Sequence, residues 1–236
     1  MPLTTLAGLF RTPHPLLVEN KKYFQELNQF RPAEEYEFVV LDTELTGLHE
    51  RRDEIVSIGA VRVKGLQIVM GDAYHAHVKP SKPLPKDSTL IHRITPQQLE
   101  NAPSLREVLP SFIDYCGQSL LVGHFVDLDT AFLNRATRKL FGSPFHNPCV
   151  DTLRLAQIYL ELSEYPRGLM PPEGPSFALA DLSRLFELPP FTPHNALQDA
   201  IQTAYLFIFL IKKFQLLGFR TLREIFRARH HGRWAL

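Results

Sequence analysis

The sequence predicts an α/β layer fold, a mixed sheet flanked by helices, and three observations lead there. Strand-like runs come first as a hairpin series and alternate with helical segments only afterwards. The first of these runs, "FVVL", is apolar throughout, as a central strand covered on both faces must be. The later segments carry apolar residues at the spacing of a single buried helical stripe.

Residues 1–35 read as an N-terminal appendage, because a short amphipathic segment near Leu16 to Phe30 precedes the charged, turn-rich "RPAEEYE". The main domain is expected over residues 36–218, with a tail over 219–236. Its first strand lies in "YEFVVLD". A polar loop, "TELTGLHERRDE", leads to "IVSIGAVRVKG" and "QIVMGDAYHAHVKP", two alternating strands joined at Lys64 and Gly65. Three neighbouring strands in a meander are therefore predicted. A Pro-rich loop follows, and then "TPQQLENAPSLREVLPSFIDYCG" has helical spacing with Thr95 and Ser104 as candidate caps. "SLLVGH" returns as a short buried strand and "DLDTAFLNRATRKLFG" as a helix. The rest reads as a strand in "PCVDT", a helix in "LRLAQIYLEL", a Pro/Gly-rich loop from Pro166 to Pro175, a helix in "ALADLSRLFEL" and a long helix from Asn195 to Leu217.

A chain of 236 residues with 44% hydrophobic content can bury one substantial core. Its 26 basic and 25 acidic residues nearly cancel, so binding of a polyanion must come from local arrangement or from metal ions in an acidic pocket. Cys116 and Cys149 lie in apolar contexts without CxxC spacing and read as buried thiols of a reducing compartment. The first residues lack a basic stretch followed by an unbroken apolar run, which argues against a secretory signal. "AYLFIFLI", from Ala204 to Ile211, falls well short of the roughly 20 residues a membrane span needs. A cytoplasmic protein without a membrane partner is expected.

Three acidic segments carry the chemistry. Asp42 and Glu44 are two apart at the end of a strand, so their side chains share a face and can share an ion. Taken alone, such a pair is more often a solvated loop, but here it follows an apolar strand where clustered charge is costly without an ion. In "LVGHFVDLDTAFL" a buried strand ends at His124 and two aspartates, Asp127 and Asp129, open a helix, where a carboxylate is commonly only a cap. In "PHNALQDA", at the start of the long last helix, His194 and Asp199 are five apart.

Together these segments resemble the DnaQ-like, or DEDDh, 3'-5' exonuclease family. "VVLDTELTGL" is similar to the family's Asp-x-Glu-Thr-Thr-Gly-Leu motif with Leu45 in place of Thr, "HFVDLDTAFL" to its second motif and "HNALQDA" to its third. "IHRITPQQLENAP" is similar to the family's Ile-His-Gly-Ile-Thr stretch. The resemblance spans roughly residues 36–215 and implies an RNase H-like sheet. It also separates the two aspartates, because Asp129, five after His124, aligns with the family's carboxylate while Asp127 falls at a variable position. Two departures lie where substrate would bind: Phe125 stands for a common Asn and Arg93 for a common Gly.

The resemblance implies metal ligation by Asp42, Glu44, Asp129 and Asp199, with Asp42 bridging two ions and Asp129 acting through water. Oxygen ligands favour Mg²⁺ or Mn²⁺. His194 becomes the candidate general base for the attacking water, a task suited to histidine's ordinary titration near neutrality. Thr43, Thr46 and Leu48 are expected to receive the terminal nucleotide, with His92 nearby and Phe125 offering a face on which a base can stack. Basic groups at Arg51, Arg52, Arg135, Arg138 and Lys139 could meet the strand, although charge runs are usually solvated. "QLLGF" at Gln215 to Phe219 faintly resembles a sliding-clamp peptide and reads better as the end of a core helix.

The function implied is removal of nucleotides from a single-stranded DNA or RNA 3' end, DNA favoured, by a free-standing enzyme or a proofreading partner of a DNA polymerase. An RNA-trimming exoribonuclease is the alternative within enzymes, because the ions act on the phosphodiester and only contacts near the 2'-OH separate the sugars. A non-catalytic scaffold is the alternative outside them, and four convergent carboxylates argue against it.

Overall fold

The computed structural model describes residues 12–163 and 176–228; the expected loop from Pro166 to Pro175 lies outside them, as do residues 1–11 and 229–236. Five strands form one sheet in the order β3-β2-β1-β4-β5. They are β1 (Glu37–Leu45), β2 (Ile55–Lys64), β3 (Gln67–His77), β4 (Leu120–Gly123) and β5 (Cys149–Asp151). The meander β1-β2-β3 is antiparallel, whereas β4 and β5, each reached through a helix, run parallel to β1. The β2-β3 hairpin turns on Gly65 and Leu66, both at positive φ (56° and 55°), the mirror-image geometry that suits a twisted hairpin.

β1 is central, and its alternation divides the core. Phe38 and Val40 face one layer with Phe207, Leu210 and Phe214 of the long helix α8 (Ala196–Leu216). Val39 and Leu41 face the other with Phe112 of α4 (Leu105–Cys116) and Phe132 and Leu133 of α5 (Val126–Phe141). Helices α6 (Thr152–Leu162) and α7 (Leu179–Leu185) complete the α8 layer.

Thr95 and Ser104 do cap helices, each through a reciprocal capping box: Thr95 opens the short α3 (Pro96–Leu99) and Ser104 opens α4. Within the stretch read as a Pro-rich loop the structure instead has α2 (Lys86–His92), which starts after Pro85 and stops at Arg93. Three closely spaced prolines hid a helix too short to show a period.

Helix α1 (Pro15–Gln25), in the segment expected as an appendage, folds back on the domain: Leu17 is fully buried, and the Asn20 amide donates to the Gly117 carbonyl at 2.7 Å. α9 (Leu222–Ala228) likewise brings Leu222 and Ile225 into the α8 layer. Gln215 and Leu216 end α8, and Phe219 packs edge-on against Phe214. Both cysteines are free, Cys116 buried in the second layer. Among the described residues no helix is long and apolar enough to cross a membrane.

Candidate active site

At the C-terminal end of β1, Asp42 and Glu44 continue the face that carries Phe38 and Val40, toward α8, and Thr43 between them turns toward α5. Helix α8 starts after Asn195, whose side-chain oxygen accepts the Gln198 N–H at 3.1 Å, and Asp199 lies in its first turn. One carboxylate oxygen each from Asp42, Glu44 and Asp199 lie within 4.8 Å of one another.

The close approach of α8 has a cause in β2. Gly59 pairs with Asp42 across the strands, and a Cβ placed there would stand 2.2 Å from backbone atoms of both Ala196 and Leu197. The first turn of α8 therefore rests on bare backbone, which puts Asp199 within reach of β1. The motifs do not include this glycine, although a glycine inside a strand is a signal of close backbone approach.

Asp129 arrives from the first turn of α5 and stands beside the three-carboxylate group. Its Oδ1 accepts the Thr43 N–H at 2.9 Å and the Thr43 hydroxyl. Both donors of Thr43 are thus engaged in holding Asp129, which leaves neither for the nucleotide contact expected of it. Asp127, on the same turn, is exposed. Asp151, absent from the residues predicted for the site, caps α6 through the Leu153 N–H at 2.9 Å and receives the Phe125 N–H at 3.1 Å. It is an acidic residue at a strand-to-helix junction, a recognisable capping signal.

The electrostatics are those of negative charge crowded out of water. Burial, followed by Asp129, Asp199 and Glu44, pushes the Asp42 carboxyl well above its ordinary value. Burial, with Asp199 and Asp129, pushes Glu44 up to about 8. Asp129 is raised to about 7 by burial, against the Thr43 hydrogen bonds that lower it. Asp199 is raised by burial to about 6, partly relieved by the His194 N–H and ring. None of the ion pairs among the described residues involves these four groups, and Oε1 of Glu44 is buried without any hydrogen-bond partner. Hard oxygen donors, excess negative charge and an unsatisfied buried oxygen together fit divalent cations.

His194 is exposed, at φ 67°, and its N–H donates to Asp199 Oδ2 at 2.8 Å, so its backbone is tied to the acidic group while its ring stays open to solvent. His92 is buried; its Nδ1 accepts the Ile94 N–H at 3.0 Å, Nε2 has no partner, and burial followed by the nearby His194 lowers its pKa. The Thr46 N–H and hydroxyl close the following loop against Glu54, at 2.9 and 3.0 Å. Leu48 (75% exposed) and Phe125 (55%) are large apolar groups left facing water.

Arg93 and Phe125, where this chain departs from the motifs it resembles, share a property: both have φ 58°, in the left-handed region that glycine and asparagine enter cheaply. Arg93 ends α2 there and Phe125 precedes α5. Arg93→Gly is expected to stabilise the fold by about 0.5–1 kcal/mol, relief of the left-handed backbone outweighing glycine's extra freedom when unfolded. Urea unfolding would read this as a higher midpoint; a lower one would mean that the arginine side chain stabilises more than its backbone costs.

A family profile described as exonuclease (RNase_T) matches residues 39–207. A DNA polymerase III PolC-type protein of Thermotoga maritima is 38% identical over 188 residues, 80% of this chain but 13% of that protein. The chain thus spans about an eighth of the length of the PolC-type relatives it matches. The DNA polymerase III subunit epsilon of Aquifex aeolicus is 32% identical, covering 75% of this chain and 81% of that one. Among solved structures, exonuclease X in complex with 5' overhanging duplex DNA aligns with a TM-score of 0.59 at 24% identity, over 81% of this chain and 99% of that one. E. coli exonuclease I with a dT13 oligonucleotide gives a TM-score of 0.67 at 20% identity, over 78% of this chain and 42% of that one. At these identities the likeness is one of fold.

Proposed function

Since the chain belongs to the DnaQ-like exonuclease family, we propose that it hydrolyses the terminal phosphodiester at nucleic-acid 3' ends, DNA foremost, from a catalytic domain spanning residues 36–218. The observation that carries this reading is the meeting of Asp42, Glu44 and Asp199 from two distant segments, with one buried oxygen of Glu44 unpartnered. Two divalent ions, when bound, would neutralise charge gathering on the non-bridging phosphoryl oxygens and on the departing 3'-oxygen.

Asp42, which faces all three other carboxylates, would hold divalent cations together with Glu44, Asp199 and Asp129, the last steered by Thr43. His194 takes the proton from the attacking water. His194 is exposed, and its backbone N–H bond to the Asp199 carboxylate ties this residue to the acidic group. Leu48 and Phe125 flank the terminal nucleotide, and His92 approaches it with the free Nε2.

His194→Ala is expected to lower turnover on a single-stranded oligonucleotide by roughly 10²-fold or more while leaving the Mg²⁺-induced melting shift in place. Near-normal turnover would remove His194 from the mechanism. Product analysis on matched end-labelled DNA and RNA, with Mg²⁺ and with Mn²⁺, fixes polarity, sugar and ion together; faster trimming of RNA would make the enzyme an exoribonuclease, and no cleavage of either would return it to a scaffold. The relatives named as polymerase III proteins support a place beside a replicative polymerase in the cytoplasm.

A further inference from the structure

The chain as a whole is nearly neutral, at +1, yet one groove of about 680 Å³ gathers seven cationic side chains against two carboxylates. It runs between the β1-β2 loop, the segment after β3, the start of α4 and the second half of α5. Its two acids are spent internally. Asp53 accepts the His49 N–H at 2.8 Å, and Glu54 accepts the Ser81 N–H at 2.7 Å.

Some of the cations have structural partners that shape the groove. Arg135 donates to the Asp53 carbonyl and lies over the Phe132 ring at 5.1 Å, and Lys82 donates to the Arg52 carbonyl at 3.4 Å. The loop backbone is thereby clamped from two sides. Arg51, Arg52, Arg106 and Lys139 are exposed, and among the described residues none of the four forms an ion pair. Four unpaired cations around one trench, on a chain with almost no net charge, are an arrangement suited to a polyanion.

The position of the groove says which polyanion. Its α5 wall continues the helix whose first turn holds Asp129: Lys139 is ten residues further on, about 15 Å along the axis. Its loop wall, Arg51 to Glu54, is the returning limb of the loop that leaves β1 just after Glu44, closed by the Thr46 N–H donating to the Glu54 carbonyl at 2.9 Å. A stacked strand advancing about 3.4 Å per nucleotide covers that distance in about four to five nucleotides. We infer that this groove holds the sugar-phosphate backbone of the substrate strand upstream of its 3' end, through Arg51, Arg52, Arg106 and Lys139. The inference rests on the hydrolase reading above.

The test compares the full chain with the triple variant Arg51→Gln, Arg106→Gln, Lys139→Gln. Each phosphate that a side chain neutralises on a single strand contributes about 0.7 to the slope of log affinity against log salt. The variant is expected to lose about 2 from that slope on a fluorescent 12-nucleotide dT strand held uncut in Ca²⁺, with at least ~10-fold weaker binding at low salt. Its melting temperature should stay put, and it should hydrolyse the p-nitrophenyl ester of thymidine 5'-monophosphate, too small to reach the groove, at the wild-type rate. An unchanged slope in an enzyme active on the ester overturns the groove alone, leaving its charge for an acidic protein. Failure of the wild type to hydrolyse either the ester or the strand overturns the active-site reading instead.

Discussion

Asp42→Asn is expected to reduce turnover by on the order of 10³-fold or more and, in the absence of metal, to make the protein more stable than the wild type. Both effects come from one position. The Asp42 carboxyl faces Asp129, Asp199 and Glu44, so removing its charge takes away a group that would hold the cations and, in the same step, the centre of the repulsion. The sign with pH follows from linkage. Glu44 binds its proton up to about 8 when folded and near its ordinary 4.5 when unfolded, and Asp42, Asp129 and Asp199 are raised in the same sense. Between these limits the folded chain holds more protons, so metal-free wild type loses stability as pH rises from about 4.5 to 8. Melting in EDTA across that range should show the decline, and Asp42→Asn should flatten it. Wild-type turnover by this variant, or a metal-free melting temperature independent of pH, would mean that the carboxylates do not act as one group.

Each member of that group has a local mark in the sequence, though such marks alone made them only candidates, and the choice of Asp129 over Asp127 came from the family resemblance. Asp42 and Glu44 end an apolar strand, Asp129 opens a helix after a buried strand, and Asp199 sits in the first turn of the longest helix. The three-strand meander and the long helix were legible for the same reason, since a period of two or of 3.6 is a property of neighbours in sequence. What sequence did not show depends on distant contacts. That Thr43 serves Asp129 requires an 86-residue closure, and the docking of α1 depends on Asn20 finding the Gly117 carbonyl 97 residues on. α2 was missed for a local reason: its seven residues follow a cluster of prolines and end at a left-handed arginine where a glycine would have marked the stop. Arg51, Arg52 and Lys139 stood out in the sequence as basic groups that could meet the strand, but Arg106 did not, and the meeting of three segments in one groove has no signature along the chain.

Gly59 joins the two halves of the site, and Gly59→Ala is expected to cost about 2–3 kcal/mol of stability and roughly 10²-fold in turnover. The added methyl would meet the Ala196 and Leu197 backbone at 2.2 Å, and backbone at the start of a packed helix cannot rotate aside as a side-chain tip can. Either the first turn of α8 lifts or β2 sinks away from it. In both cases Asp199 and the His194 N–H bonded to it move away from Asp42, which pairs directly with Gly59. A shift of about 1 Å is enough to lose a catalytic geometry. Stability alone would not separate this from ordinary overpacking, so the deciding measurement is the Mg²⁺ concentration at half-maximal melting shift, which should rise if the carboxylates have been drawn apart. Gly71→Ala, at an exposed strand position where a Cβ meets nothing within 4 Å, is the control and should change neither quantity. If Gly59→Ala melts lower yet keeps wild-type turnover and Mg²⁺ midpoint, the spacing between α8 and β1 is set by something other than this glycine.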